Sequence, residues 1–114
     1  MINNYRFELS FKNLDQLKMK IEFCLAKNIK SINIPCKGVI KKEFLYEVIE
    51  FIGINYSQLD VIYHYSLFHQ FSRNNDNSYK EFLYFIQECK KYKNKKILLI
   101  SGTKKRKNFE VIDV

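Results

Sequence analysis

The hydrophobic pattern changes between two periods along the chain. Tyr5–Ser10 alternates apolar and polar residues as a strand does, whereas the next segment places apolar residues three or four positions apart, as on one face of a helix. Strands are predicted near residues 5–10, 31–35, 59–66 and 96–101, and helices near residues 13–27, 40–52 and 78–92. The resulting β-α-β-α-β-α-β order predicts a parallel sheet with right-handed crossovers.

Particular residues mark the ends of these elements. Asn13-x-x-Gln16 and Ser78-x-x-Glu81 are capping patterns that start the first and third helices. Pro35 stops the second strand, and Gly53 is expected just past the end of the second helix. The apolar stripes that should face the core are Leu14, Leu17, Ile21, Cys24 and Leu25; Phe44, Leu45, Val48, Ile49 and Ile52; and Phe82, Leu83, Ile86 and Cys89.

The sequence Asn108-Phe-Glu-Val-Ile-Asp-Val114 predicts the cap and first turn of a fourth helix. We therefore expect one domain over residues 1–114, an α/β fold made of the parallel βαβαβαβ units of a (β/α)8 TIM-type barrel, truncated to the first four strands. Such a partial barrel would leave the apolar residues of its inner face uncovered, with Leu9, Ile34, Tyr63 and Leu99 as candidates. This predicts either self-association or a missing C-terminal half.

Composition narrows the class of protein. The 114 residues are 46% hydrophobic and 28% charged, which excludes general disorder. The longest unbroken aliphatic run, Ile97–Ile100, is far shorter than the ~20 residues of a membrane-spanning helix, so no membrane association is expected. The charged N-terminal residues lack the apolar core of a signal peptide, and three cysteines without paired spacing exclude a disulfide framework. A cytoplasmic, reducing location is therefore expected.

The positive charge is concentrated in one segment. The net charge is +8, and residues 90–107 contain nine basic residues and no acidic one. Lys90–Lys96 precede the fourth strand and Lys104–Lys107 follow it, so the two groups should lie on opposite rims, separated by a strand of ~17–20 Å. This argues against the continuous basic surface that tracks a nucleic-acid backbone. A basic nucleic-acid-binding module and a non-catalytic interaction module remain the alternatives to a ligand-binding protein.

Ligands of parallel α/β proteins bind beyond the carboxyl ends of the strands. The candidate residues there are Glu8 and Ser10; Pro35, Cys36 and Gly38; His64 and Ser66, followed by His69, Arg73 and Asn74; and Ser101, Gly102 and Thr103, followed by Lys104, Lys105, Arg106 and Lys107. Hydroxyls and cations around Gly102 suit a phosphate, to which Arg73 would add a contact. The Walker spacing is absent, and His64 and His69 have no acidic or cysteine partners at metal-ligand spacing, so no metal is expected.

These strand ends also resemble a known family. Phe7-Glu-Leu-Ser10, Ile32-Asn-Ile-Pro-Cys-Lys-Gly38, Tyr63-His-Tyr-Ser66 and Ile97-Leu-Leu-Ile-Ser-Gly-Thr103 resemble the first four strands of the methylenetetrahydrofolate reductase barrel. The resemblance implies a (β/α)8 barrel that binds FAD and reduces a folate with a nicotinamide donor. It implies that Glu8 is the catalytic acid and that His64 and Ser66 belong to the cofactor site.

The fourth strand end differs from that family. Where the family has Arg-Gly-Asp, this chain has Ser101-Gly102-Thr103, so the charge that the family's aspartate brings near the flavin is missing. The expected function is therefore a flavin- or folate-related oxidoreductase, or a degenerate relative that retains ligand binding. A polar strand face and a solvated lysine run are the alternative explanations for Glu8 and for Lys104–Lys107.

Overall fold

The computed structural model describes residues 5–35, 42–66, 75–100 and 109–113 of the chain. Within them it contains the strands β1 (Phe7–Glu8), β2 (Ser31–Ile34), β3 (Asp60–Ser66), β4 (Lys95–Ile100) and β5 (Phe109–Asp113). The helices α1 (Leu14–Ala26), α2 (Lys42–Asn55) and α3 (Asn75–Lys90) alternate with the first four strands.

The described strands form one sheet in the order β1-β2-β3-β4-β5, and the first four are parallel. This confirms the predicted α/β fold with a four-stranded parallel sheet. Because each of these strands lies beside the one before it, right-handed crossovers place the intervening helices on one face of the sheet. The hydrophobic core agrees: it joins residues of all three helices with alternate strand residues, such as Ile32, Ile34, Tyr63 and Ile97.

The sheet face opposite this core, which we call the open face, has a different composition. Along β2, β3 and β4 its residues alternate with the core residues and are half-buried: Asn33, Ile62, His64, Lys96 and Leu98. Polar side chains therefore dominate near β2, and aliphatic ones contribute towards β4.

The residues predicted to lie bare on an uncovered face lie under the helices instead. Leu9 is 6% exposed, Ile34 and Tyr63 are fully buried, and Leu99 packs against the same core. The prediction of their exposure was wrong, because a period of two defines two strand faces without saying which one the helices cover.

Residues 109–113 form β5, so the prediction of a helical turn there was wrong. β5 pairs antiparallel with β4, in a register that runs from Ile100↔Phe109 to Lys96↔Asp113. A single helical turn makes few hydrogen bonds to offset its nucleation cost, whereas a strand at this edge satisfies the free backbone groups of β4. β4 therefore does not end the sheet. The edge at which a barrel adds a further parallel strand is paired here with an antiparallel one.

The predicted start of α1 is confirmed, whereas α3 starts earlier than predicted. α1 starts at the predicted cap: Asn13 Oδ1 accepts the Gln16 N–H at 2.8 Å, and Gln16 Oε1 accepts the Lys12 N–H at 2.9 Å. α3 starts at Asn75, ahead of the predicted capping box at Ser78. The residues 75–77 that precede the box are polar, so the hydrophobic period could not assign them.

Gly53 does not follow α2, as predicted, but lies inside it, since the helix continues to Asn55. The aromatic ring of Tyr92 fills the space where a side chain would project, and a Cβ added at Gly53 would be 2.3 Å from two ring atoms. Close packing against Tyr92, not helix termination, explains the glycine.

The core-facing stripes of α1 and α2 are confirmed, and that of α3 is confirmed in part. Phe85 and Cys89 are fully buried, whereas the predicted core residue Leu83 is 40% exposed. Phe85 takes the central position because its ring packs against that of Tyr65, at a centroid distance of 4.6 Å.

Candidate functional site

Three neighbouring strands place polar side chains together on the open face, towards their carboxyl ends. The register pairs Glu8 of β1 with Asn33 of β2, and Asn33 with Ile62 of β3. His64 is two residues after Ile62, on the same face of β3. Asn33 Nδ2 lies 3.0 Å from His64 Nε2, and His64 Nδ1 lies 3.8 Å from Glu8 Oε1. The structure thus brings together Glu8 and His64, two residues that the sequence marked as site candidates.

Arg6, the residue before β1, forms hydrogen bonds with residues of β2 and β3 next to this group. Its Nε donates to Asn33 Oδ1 at 2.9 Å, and its Nη1 donates to Asp60 Oδ2 at 3.0 Å. Its Nη2 donates to two backbone carbonyls, those of Ile32 at 3.2 Å and Asp60 at 3.3 Å. One guanidinium therefore joins the segment before β1 to β2 and β3, which only the fork of donors in arginine allows. We call Arg6, Glu8, Asn33, Asp60 and His64 the polar network.

The two candidate site residues differ in exposure and in electrostatics. The side chain of His64 is 12% exposed, whereas that of Glu8 is 61% exposed. Burial lowers the pKa of His64, and the nearby Glu8 carboxylate opposes that effect in part. The ring is therefore neutral at pH 7. The arrangement is an accessible carboxylate beside a shielded, neutral imidazole, and this pair can accept or donate one proton at Glu8.

The sequence analysis did not single out Arg6, Asn33 or Asp60. A signal for two of them was present: Arg6 and Glu8 are two residues apart, so they share a strand face, and Asn33 interrupts the apolar Ser31-Ile-Asn-Ile34. What the sequence could not supply is the register, which pairs Glu8 with Asn33 and Ser31 with Asp60.

The remaining candidates among the described residues are Ser10, Pro35 and Ser66, and Pro35 directly follows β2. Ser66 ends β3 and is the register partner of Ile100, so the carboxyl ends of β3 and β4 are adjacent. Ser10 follows β1, and its carbonyl accepts a hydrogen bond from Lys20 Nζ. The candidates outside the described residues are Cys36, Gly38, His69, Arg73, Asn74, Ser101, Gly102, Thr103, Lys104, Lys105, Arg106 and Lys107.

One lysine of the basic segment is withdrawn from solvent. Lys95 is 2% exposed, and its Nζ donates to the carbonyl of Leu59 at 2.8 Å. Burial lowers the pKa of Lys95, and Asp60 opposes that effect. This side chain cannot contact a phosphate backbone, so the observation weakens the nucleic-acid alternative.

A groove lies in the helix layer, between α2 and α3. It has a volume of about 340 Å³ and is lined by Tyr46, Lys80, Glu81 and Tyr84. The rings of Tyr46 and Tyr84 meet edge to face at a centroid distance of 5.0 Å. The groove is not part of the open face, and it shares no residue with the polar network.

Comparisons with protein-family models, curated proteins and solved structures found no match for this chain. In the described parts of the chain, no three His, Cys, Asp or Glu side chains converge as a metal site would require. None of the described helices has both the length and the hydropathy needed to cross a membrane.

Proposed function

We propose that this chain binds a small polar ligand on the open face of its sheet, with Glu8 in direct contact with the ligand. The observation that carries the proposal is the convergence of Glu8, Asn33 and His64 at the carboxyl ends of parallel strands, where α/β proteins bind ligands. The exposed fraction of Glu8 leaves carboxylate lone pairs for donors of a ligand.

For the ligand we propose the class that the family resemblance indicates, a flavin or a folate. Both present a planar heterocycle with polar edges. Glu8 would accept an N–H of such a ring, and the aliphatic side chains of Ile62 and Leu98, half-buried on the same face, would contact its plane. Leu98 is the register partner of His64, so the polar and the aliphatic parts adjoin.

FAD, when bound, would supply hydride chemistry, and the residues of this chain would bind and orient it. As the acid, Glu8 would first take up a proton from solvent at its exposed carboxylate and then pass it to the substrate ring. Ser66, Arg73 and residues 101–107 are proposed to hold the cofactor and its phosphates. The proposed function is thus a flavin- or folate-related oxidoreductase, or a relative of one that retains ligand binding, in the cytoplasm.

The proposal is tested by ligand binding to the purified chain. The absorbance spectrum of the protein as isolated would be recorded first, and FAD and a reduced folate would then be titrated by fluorescence. We expect Glu8→Gln to abolish turnover and to change affinity little, since it removes a proton and little shape. Glu50→Gln, an exposed change on α2, is the matched control and should behave as the unmodified chain.

Two results would contradict the proposal. One is the failure of both FAD and folate to bind at concentrations up to the millimolar range. The other is binding that Glu8→Gln and Glu50→Gln leave unchanged in both affinity and activity.

We further propose that β1–β4 correspond to the first strands of a (β/α)8 barrel. The sequential order of the parallel strands supports this, because a doubly wound sheet reverses its strand order and a barrel does not. The antiparallel β5 is the feature that departs from a barrel. If the open face needs a covering layer, the chain should form dimers or larger species in analytical ultracentrifugation. A monomer at high concentration would refute that requirement.

A further inference from the structure

The hydrogen bonds of Arg6 determine how the Asn33 amide is oriented. A guanidinium carries only donors, so the Asn33 atom that faces Arg6 Nε at 2.9 Å must be the acceptor Oδ1. The amide nitrogen Nδ2 then points the other way, to His64 Nε2 at 3.0 Å. Rotation of the amide by 180° would place its NH2 against the Arg6 N–H, which is a contact between two donors.

The amide in turn determines the state of His64. Since Asn33 Nδ2 can only donate, His64 Nε2 must accept with its lone pair. The neutral ring then carries its hydrogen on Nδ1, the atom that lies 3.8 Å from Glu8 Oε1. We propose that Arg6 and Asn33 are positioning residues that hold His64 as the neutral Nδ1–H tautomer, with this hydrogen directed at the Glu8 carboxylate.

This arrangement also opposes protonation of the ring. An imidazolium donates from both nitrogens, so its Nε2–H would face the NH2 of Asn33. The Glu8 carboxylate on β1, 3.8 Å from the ring, favours the imidazolium. The other charged residues on this side of the sheet are Asp60 on β3, Arg6 before β1 and Lys96 on β4. Arg6 and Asp60 form an ion pair at 3.0 Å, so their effects largely cancel.

The tautomer assigns different roles to the two residues of the proposed site. The only lone pair of the His64 ring is occupied by Asn33, so His64 is not free to take a proton from a ligand. Glu8 is the group that exchanges a proton, and His64 orients it and donates to it. This division of roles rests on the proposed function, but the tautomer is a property of the chain without ligand and is measured without one.

The experiment is 15N NMR of the chain labelled at histidine, recorded as a pH titration. The sequence contains two histidines, and a His69→Gln variant assigns the signals of His64. In the unmodified chain we expect a protonated Nδ1, an unprotonated Nε2 and a pKa for His64 below its ordinary ~6.5. Detection of the Nε2–H tautomer, or of an imidazolium at pH 7, would overturn the proposal.

Two variants separate positioning from a merely structural role. Asn33→Asp replaces the donor with an acceptor of similar shape, so Nε2 must become protonated and the pKa of His64 should rise by about one pH unit or more. Arg6→Lys keeps the charge and loses the fork, which frees the amide to rotate and should give a mixture of tautomers. Asn55→Asp, at the exposed end of α2, adds the same charge in the helix layer, outside the polar network, and should leave the tautomer and the pKa of His64 unchanged.

The outcomes distinguish this inference from the proposed function. If the Nδ1–H tautomer is present and changes in Asn33→Asp, but neither FAD nor folate binds, the network stands and the proposed ligand class is wrong. If a ligand binds and Asn33→Asp leaves the tautomer and pKa of His64 unchanged, the inference is wrong and the ligand site stands. A circular dichroism spectrum of each variant, recorded before its titration, shows whether that variant is folded.

Discussion

Two buried tyrosines differ in one respect that predicts opposite effects on stability. Tyr63 is fully buried, and among the described residues its hydroxyl has no hydrogen-bond partner. Tyr56 is also buried, at 6% exposure, but its hydroxyl donates to Glu22 Oε1 at 2.7 Å. Replacing either tyrosine with phenylalanine removes its hydroxyl oxygen. In Tyr56 that oxygen is hydrogen-bonded, whereas in Tyr63 it is not.

The free energies follow from what each hydroxyl loses on folding. An unpaired buried polar group costs about 1–3 kcal/mol of desolvation, so Tyr63→Phe should recover about 1 kcal/mol after a small loss of packing around the missing oxygen. Tyr56→Phe removes a hydrogen bond to a carboxylate that water can then solvate, and should cost about 1 kcal/mol. Both ring contacts remain in place, including that of Tyr56 with Phe51.

The assay is urea unfolding of both variants and the unmodified chain, followed by circular dichroism at pH 7. We expect the midpoint to rise for Tyr63→Phe and to fall for Tyr56→Phe, with the same dependence on urea. In a thermal scan the two melting temperatures should differ by about 8 °C, given ~4 °C per kcal/mol for a chain of this size. A loss of stability in Tyr63→Phe as large as that in Tyr56→Phe would refute the reasoning, because it would mean that the Tyr63 hydroxyl is paired.

Two other predictions concern α2 and alkaline pH. Gly53→Ala should destabilise the chain by about 1–3 kcal/mol despite the better helix propensity of alanine, because the new Cβ would meet the ring of Tyr92. In the Tyr92→Ala background the same substitution should no longer carry this penalty, and urea unfolding of the single and double variants measures the difference. Burial raises the pKa of both Cys89 and Tyr46 to about 12, so the unfolded chain loses these protons first and stability should fall as the pH rises from about 9 to 12. The lowered pKa of Lys95 opposes this loss of stability in part. The urea midpoint of Tyr46→Phe should therefore fall less between pH 10 and 12 than that of the unmodified chain. An equal fall in both would count against the raised pKa of Tyr46.

The sequence by itself determined the order and direction of β1–β4. Two hydrophobic periods that alternate along the chain can be satisfied only by strands separated by helices, and crossovers of that length make neighbouring strands parallel. The stripes of α1 and α2 and the cap at Asn13 were also predictable. These features depend on residues a few positions apart, so local spacing is sufficient to define them.

The tertiary structure decided which strand face the helices cover, where residues 109–113 pair, and why Gly53 is a glycine. It also decided the polar network, in which Arg6 contacts Asn33 and Asp60, residues separated from it by 27 and 54 positions. Hydrogen bonds of this kind depend on register and on the direction of each donor, and no periodicity records either. Glu8 and His64 could therefore be named from the sequence as candidates, whereas the atoms through which they face each other followed only from the packing of three strands.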